Sequence, residues 1–243
     1  MQVDALSVRL RPRPMAEAVD LGVLLVHTHA RSIARVWLPL WAGLLAVALA
    51  TAEIAGWLPW LVIFCAKPWL DRSLLFVLSR AVFGEATRWS DLWAQRSAIW
   101  WRGLAGSLTL QRLSPWRSYT QAVLQLEGQR GKAASQRRAQ ILRGKRGAAG
   151  GMQFVFANVE VVLYLGLVSL MLWFAPEGTH RHVFTWLTES GSIGSTLSQA
   201  LAYALAVLLV EPFFVAAGFL MYLNRRVELE AWDIEQEFRR AFA

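Results

Sequence analysis

The sequence predicts an all-α integral membrane protein with about four transmembrane helices, plus amphipathic helices at the interface and on the cytoplasmic side. Three observations carry that expectation. Hydrophobic residues fill 56% of the 243 positions and mean hydropathy is +0.36, more apolar surface than an ordinary soluble domain of this size can hide. The apolar residues gather in blocks at 36–66, 152–175 and 197–223, whereas 84–150 is polar and basic. The 13 tryptophans include several at the ends of those blocks, where an indole favours the membrane–water boundary.

Residues 1–35 read as a cytoplasmic amphipathic segment. Met15 to Arg35 forms a surface helix in this reading, with Leu21, Leu24, Leu25 and Thr28 on one side. The short apolar stretch Leu21 to Val26 ends at His27-Thr28-His29 without a small-residue cleavage site, so the first span is expected to act as the insertion signal.

Residues 36–79 read as a transmembrane hairpin and exit helix. The first span runs from Val36 to about Ala52, and Glu53 to Gly56 makes a polar turn before Trp57 and Trp60. Leu58-Pro59 opens the second span, since proline suits a first helical turn whose N–H has no partner. Ending at Ala66 would give about nine residues and roughly 14 Å, too short for about 30 Å of hydrocarbon. Continuing to Leu78 would carry Lys67, Asp71 and Arg72 inside the helix, where they must pair, line a cavity or snorkel. The expected compromise is a span that leaves the bilayer near Trp69 and becomes an interfacial helix with Leu74, Leu75, Leu78 and Val82 on one face.

Residues 80–151 read as a basic cytoplasmic loop with amphipathic helices. Trp89, Leu92, Trp93, Ile99 and Trp100 share a broad helical face, suited to the headgroup plane or to packing on another helix. The stretch 128–151 is rich in Gly, Ala, Gln, Arg and Lys and lacks interleaved aromatics, which argues against stacking on nucleic-acid bases.

Residues 152–223 form a second transmembrane hairpin, Met152 to Phe174 and Leu197 to Leu223, joined by a periplasmic loop at 176–196. Residues 224–243 read as a cytoplasmic C-terminal helix with an Arg226–Glu230 pair at i,i+4, whose acid-rich middle docks on the basic loop.

Charge sets the orientation. The segment before Val36 carries five arginines, 80–146 carries 13 basic residues, and 224–243 has Arg225, Arg226, Arg239 and Arg240, whereas the loop after Pro176 has Arg181. Both termini and the large loop are therefore expected on the cytoplasmic side. The net charge of +8 lies mostly beside apolar spans, so anionic lipid headgroups are nearer partners than nucleic acid, which is not expected.

The best functional clue is Glu211-Pro212, an acid and a helix-disturbing proline near the middle of the last apolar run. A carboxylate at that depth costs roughly 2.5 kcal/mol or more on insertion scales, so it faces protein or water and has a partner. Lys67, Asp71, Arg72, Asn158, Glu160 and Glu211 form the candidate intramembrane polar cluster. Glu160 and Glu211 differ in depth by roughly 6 Å in antiparallel spans, so they can reach one cavity. Such a cluster either handles protons or a polar substrate, or clamps the helices together. Pro212 should leave the carbonyl of Leu208 without its helical donor and kink the helix.

Other motifs carry little chemistry. His27/His29 and His180/His182 are His-x-His pairs, and the second pair shares a face only in an extended loop, with Glu177 nearby. Without a third fixed ligand no metal site is expected. The single cysteine, Cys65, has no intramolecular disulfide partner. Gly-x-Ser-x-Gly, P-loop and His-Glu-x-x-His signatures are absent, so no catalytic residue or cofactor is assigned and an enzyme is not favoured.

Several segments together carry a resemblance: Lys67-Pro68-Trp69-Leu70-Asp71-Arg72, Leu78 to Glu85, Arg112 to Ser118, Leu126-Glu127-Gly128, and Glu211-Pro212-Phe213-Phe214 with Leu229 to Asp233. From about residue 37 to 240 the chain resembles a family of uncharacterised proteobacterial multi-pass inner-membrane proteins. That resemblance implies a bacterial cytoplasmic membrane and brings no activity with it. The functional expectation is a scaffold or accessory component that engages the bilayer and a membrane-protein partner or a second copy of itself. The alternatives are a small transporter or proton-coupled component using the Glu/Lys cluster and, more weakly, a lipid-modifying enzyme.

Overall fold

The computed structural model describes residues 11–101, 114–188 and 192–230. The described residues are 83% helical with no strand among them, and the chain is an all-α membrane protein. The helices are α1 (Met15–Thr28), α2 (Ala30–Ala50), α3 (Leu58–Val82), α4 (Trp89–Ala94), α5 (Arg117–Gln125), α6 (Gly131–Leu142), α7 (Arg146–Trp173), α8 (His180–Thr188) and α9 (Ile193–Glu230). A 3-10 turn, Thr51–Glu53, extends α2, and a π-helical turn, Ser97–Trp101, follows α4.

Three helices are long and apolar enough to cross a bilayer: α2 with its 3-10 extension, α7 and α9. The second span expected from the sequence is α3, which falls outside that set because Lys67, Asp71, Arg72 and Arg80 lie along it. It is one unbroken helix, not a span followed by a separate interfacial helix. Leu74, Leu75, Leu78 and Val82 are all buried, so their face packs on protein and needs no headgroup plane.

The core is organised around α9, which touches α1, α2, α3, α5, α7 and α8. Its apolar window is mostly buried, whereas that of α7 leaves Phe154, Val155, Val162 and Leu165 on an outward apolar face. Small side chains explain how so many helices reach one axis. A Cβ on Gly22 would lie 2.7 Å from the Ala217 backbone, and one on Gly218 would overlap Ser118. Lipid is as apolar as leucine, so close backbone approach, not leucine burial, decides which face turns inward. The N-terminal segment shows this. Met15, Ala18, Gly22, Leu25 and Val26 face the core, while Leu24 and Thr28, expected on the apolar side, are exposed.

The 80–151 segment is also more buried than its polarity suggests. Every residue of α5 from Arg117 to Val123 is buried. Three of its side chains find backbone carbonyls: Ser118 donates to Phe214 O at 3.1 Å, Tyr119 to Ile141 O at 3.2 Å and Gln125 to Arg72 O at 2.7 Å. A polar helix is tolerated in a core when its donors are matched in this way. The tryptophan-rich face splits. Leu92, Ile99 and Trp100 pack inward, with the Trp100 indole donating to Ser73 Oγ at 2.9 Å, and Trp89, Trp93 and Trp101 stay exposed.

The acid-rich tail meets the basic loop. Lys145 holds Glu228 at 2.9 Å, Arg226 holds Glu230 at 2.6 Å, and Arg137 joins Glu230 to Glu127. Hydrogen bonding to Glu127 holds the Arg137 guanidinium above its usual range against the effect of burial, with Glu230 adding to the shift. Residues 231–243 and 102–113 lie outside the described residues.

Pro212 sits inside a continuous α9. The carbonyl that it deprives, Leu208 O, accepts a hydrogen bond from the indole of Trp37 on α2 at 3.3 Å. A second helix thus supplies the donor that the proline ring lacks. Trp37→Phe removes that donor from a buried carbonyl and should cost about 1–3 kcal/mol, read as a lower unfolding midpoint in detergent. Gly218→Ala should destabilise by a similar 1–3 kcal/mol through overpacking against α5. Gly43→Ala, where a Cβ meets nothing within 4 Å, should leave the midpoint within a degree or two of the parent.

Candidate functional site

Lys67 and Asp71 are one helical turn apart on α3, so their side chains leave the same face. Lys67 Nζ lies 2.6 Å from Glu160 Oε2 on α7 and 2.8 Å from Glu211 Oε2 on α9. The other Glu211 oxygen, Oε1, accepts from Arg117 Nη2 on α5 at 2.7 Å. Arg117 Nη2 also lies 3.1 Å from Asp71 Oδ2, a close ion pair without the alignment of a hydrogen bond. The result is one chain of alternating charge, Asp71–Arg117–Glu211–Lys67–Glu160, that ties four helices together.

The chain sits deep. Lys67 is about nine residues, roughly 14 Å, from the Leu58 end of α3, and Glu160 is about fourteen residues, roughly 21 Å, from the Arg146 end of α7. Glu211, Asp71, Lys67 and Arg117 are all buried. Two unpaired charges at this depth would each cost several kcal/mol, which explains why every cation here contacts two acids. Arg117 also lies 5.1 Å from the ring centroid of Phe214, so an aromatic face covers its remaining apolar side.

Four of the six residues expected from the sequence meet here: Lys67, Asp71, Glu160 and Glu211. Two do not. Arg72 follows Asp71 by one residue, about 100° around the helix, and its guanidinium donates to Ile99 O at 3.2 Å. Asn158 precedes Glu160 by two residues and points away, exposed on α7, with its amide donating to Phe154 O at 2.8 Å in its own helix. The residue that sequence reasoning missed is Arg117, which had been counted among the basic residues of the loop. Counting charge at constant depth would have exposed the gap, because three buried acids need more than one lysine.

A cavity of about 300 Å³ opens beside the chain between α3, α7 and α9. Lys67, Glu160, Glu211 and Arg117 line its polar end, and Phe64, Phe156, Val161 and Tyr203 contribute apolar wall. Beyond it, Trp60 stacks on Tyr203 with ring centroids 4.9 Å apart and meets Tyr164 edge-on at 5.2 Å, knitting the same three helices.

The histidine pairs do not build a site. His180 and His182 lie on α8 and not in an extended loop, so their rings leave it in divergent directions, and His180 Nδ1 lies 2.9 Å from Leu172 O. Among the described residues, no group of three His, Cys, Asp or Glu side chains is placed to hold a metal ion. No protein-family model, no curated protein and no solved structure matches this chain.

Removing Arg117 strands two buried acids. Arg117→Ala should destabilise by about 3–5 kcal/mol, seen as loss of a cooperative unfolding transition or failure to recover folded protein. Asn158→Ala, which touches none of the chain, should stay within about 0.5 kcal/mol of the parent in the same assay.

Proposed function

We propose that the protein is a scaffold or accessory component of a bacterial inner membrane. Both termini and the 80–151 segment lie on the cytoplasmic side in this reading, with α5 reaching inward from that side to the ion chain, and the basic end of the molecule engages anionic headgroups together with a membrane-protein partner. The observation that carries it is the contrast between the two populations of cations. Lys67 and Arg117 are buried and each contacts two acids, while Arg130, Lys132, Arg143 and Arg146 are exposed at one end of the bundle. The exposed indoles of Trp89, Trp93 and Trp101 follow the same end of α3, and Arg96 lies 5.1 Å over the Trp93 ring. Basic side chains beside exposed indoles suit the headgroup layer, where each Lys or Arg contributes on the order of 1 kcal/mol.

A small transporter or proton-coupled component is the second reading, favoured by the cavity at the ion chain. The two readings place the essential residues at opposite sites. Replacing Arg130, Lys132, Arg143 and Arg146 together by Gln should cut the phosphatidylglycerol that co-purifies with the protein several-fold while leaving the unfolding midpoint within a few degrees. Unchanged lipid retention in quantitative lipid mass spectrometry would sink the scaffold reading.

A further inference from the structure

The geometry points to a binding site for a protonated amine carrying an apolar tail, in the cavity between α3, α7 and α9, with Glu160 as its anionic anchor. The inference is independent of the headgroup-binding reading, because the cavity lies about 20 Å from the basic end by the helical rise.

The ion chain begins and ends on an acid. Three carboxylates alternate with two cations, so the fully ionised chain carries one negative charge more than it neutralises, and a buried uncompensated charge is costly. The terminal acid at the cavity is the accessible one. The Glu160 side chain is 17% exposed, against 1% for Glu211 and 0% for Asp71. Glu160 Oε2 takes the Lys67 hydrogen bond, and a second cation set against Glu160 from the cavity would continue the alternation and bring the total charge to zero.

The walls narrow the chemistry of that cation. Calcium takes six to eight oxygen ligands and magnesium an octahedron of them, whereas this cavity offers one accessible carboxylate and the amide of Gln153. Phe64, Phe156 and Tyr203 present aromatic surface, which suits an ammonium group through its attraction to ring faces. A volume of about 300 Å³ accommodates a small amine head at the lower end of ligand-pocket sizes. The mouth explains the tail. Phe64 and Val161 line the cavity and are both exposed, on the outward apolar sides of α3 and α7, so entry is through hydrocarbon and not through water. An aminophospholipid headgroup and a free alkylamine share the ammonium group, but the lipid brings its phosphate with it, whereas the free amine alone takes the total charge to zero.

The test uses the full chain in nanodiscs, as wild type and as Glu160→Gln. One arm mixes phosphatidylethanolamine into phosphatidylglycerol and measures, by native mass spectrometry, the phosphatidylethanolamine retained after mild extraction. The other arm adds octylamine to nanodiscs of phosphatidylglycerol alone and follows the unfolding midpoint. Wild type should retain the aminophospholipid at least ten-fold better than Glu160→Gln, or gain several degrees from octylamine where Glu160→Gln gains none. Retention of the lipid identifies an aminophospholipid as the source, and a response to octylamine alone identifies a free amine. Val161→Trp fills the mouth while leaving the ion chain intact, and should abolish the same signal even if Glu160→Gln folds poorly. Replacing the four exposed basic residues should leave it in place. If wild type binds neither probe, or Glu160→Gln binds both equally well, the proposal fails and a proton alone neutralises the odd acid.

Discussion

Lys67 and Arg117 each hold two carboxylates in the buried interior, and the arrangement of the helices follows from that requirement. The acids come from α3, α7 and α9 and the cations from α3 and α5, so the charges are satisfied only when all four helices stand in register. Such a chain contributes little net stability compared with well-packed apolar side chains of similar volume. Its effect is selective: an arrangement that displaces any one of these helices leaves a charge buried alone. Apolar packing inside a bilayer discriminates weakly between rotations of a helix, and the ion chain supplies the discrimination that packing lacks.

Small residues and matched polar groups complete the arrangement. Gly22 and Gly218 let α1 and α5 approach α9 at backbone distance, and the side chains of α5 satisfy carbonyls of α3, α6 and α9 in its neighbourhood. A segment that is polar by composition is thereby drawn into the core. At the basic end, Glu127, Arg137, Arg226 and Glu230 repeat the same logic in a more accessible setting, joining the end of α9 to α6 and to the turn before it.

Much of the fold was legible in the sequence because membrane helices announce themselves by length. The α2, α7 and α9 spans, and the cap of α3 at Leu58-Pro59, all follow from hydropathy and proline placement. What hydropathy could not give was which side of a helix faces protein. Leu24 belongs to the apolar side of the N-terminal helix in the sequence and is outward, while Gly22 is inward, because lipid removes the penalty for exposing leucine. The site was legible to the extent that spacing was used. The four-residue step from Lys67 to Asp71 places them together, whereas Arg72 and Asn158 are excluded by one-residue and two-residue offsets that the same helical geometry reveals. Arg117 was hidden because it lies on a short helix far away in sequence, within a stretch whose basic character suggests solvent.

The indole of Trp37 supplies the donor that α9 lacks at Pro212, and the dependence also runs in the other direction. The indole N–H is itself buried and needs an acceptor, and the acceptor is vacant because position 212 is proline. Pro212→Ala alone would give Leu208 O a helical donor beside the tryptophan, and the indole would then no longer be the group that rescues that carbonyl. Residues 37 and 212, 175 positions apart in the chain, thus meet at one backbone carbonyl, and the link between α2 and α9 is made at the point where α9 lacks its own donor.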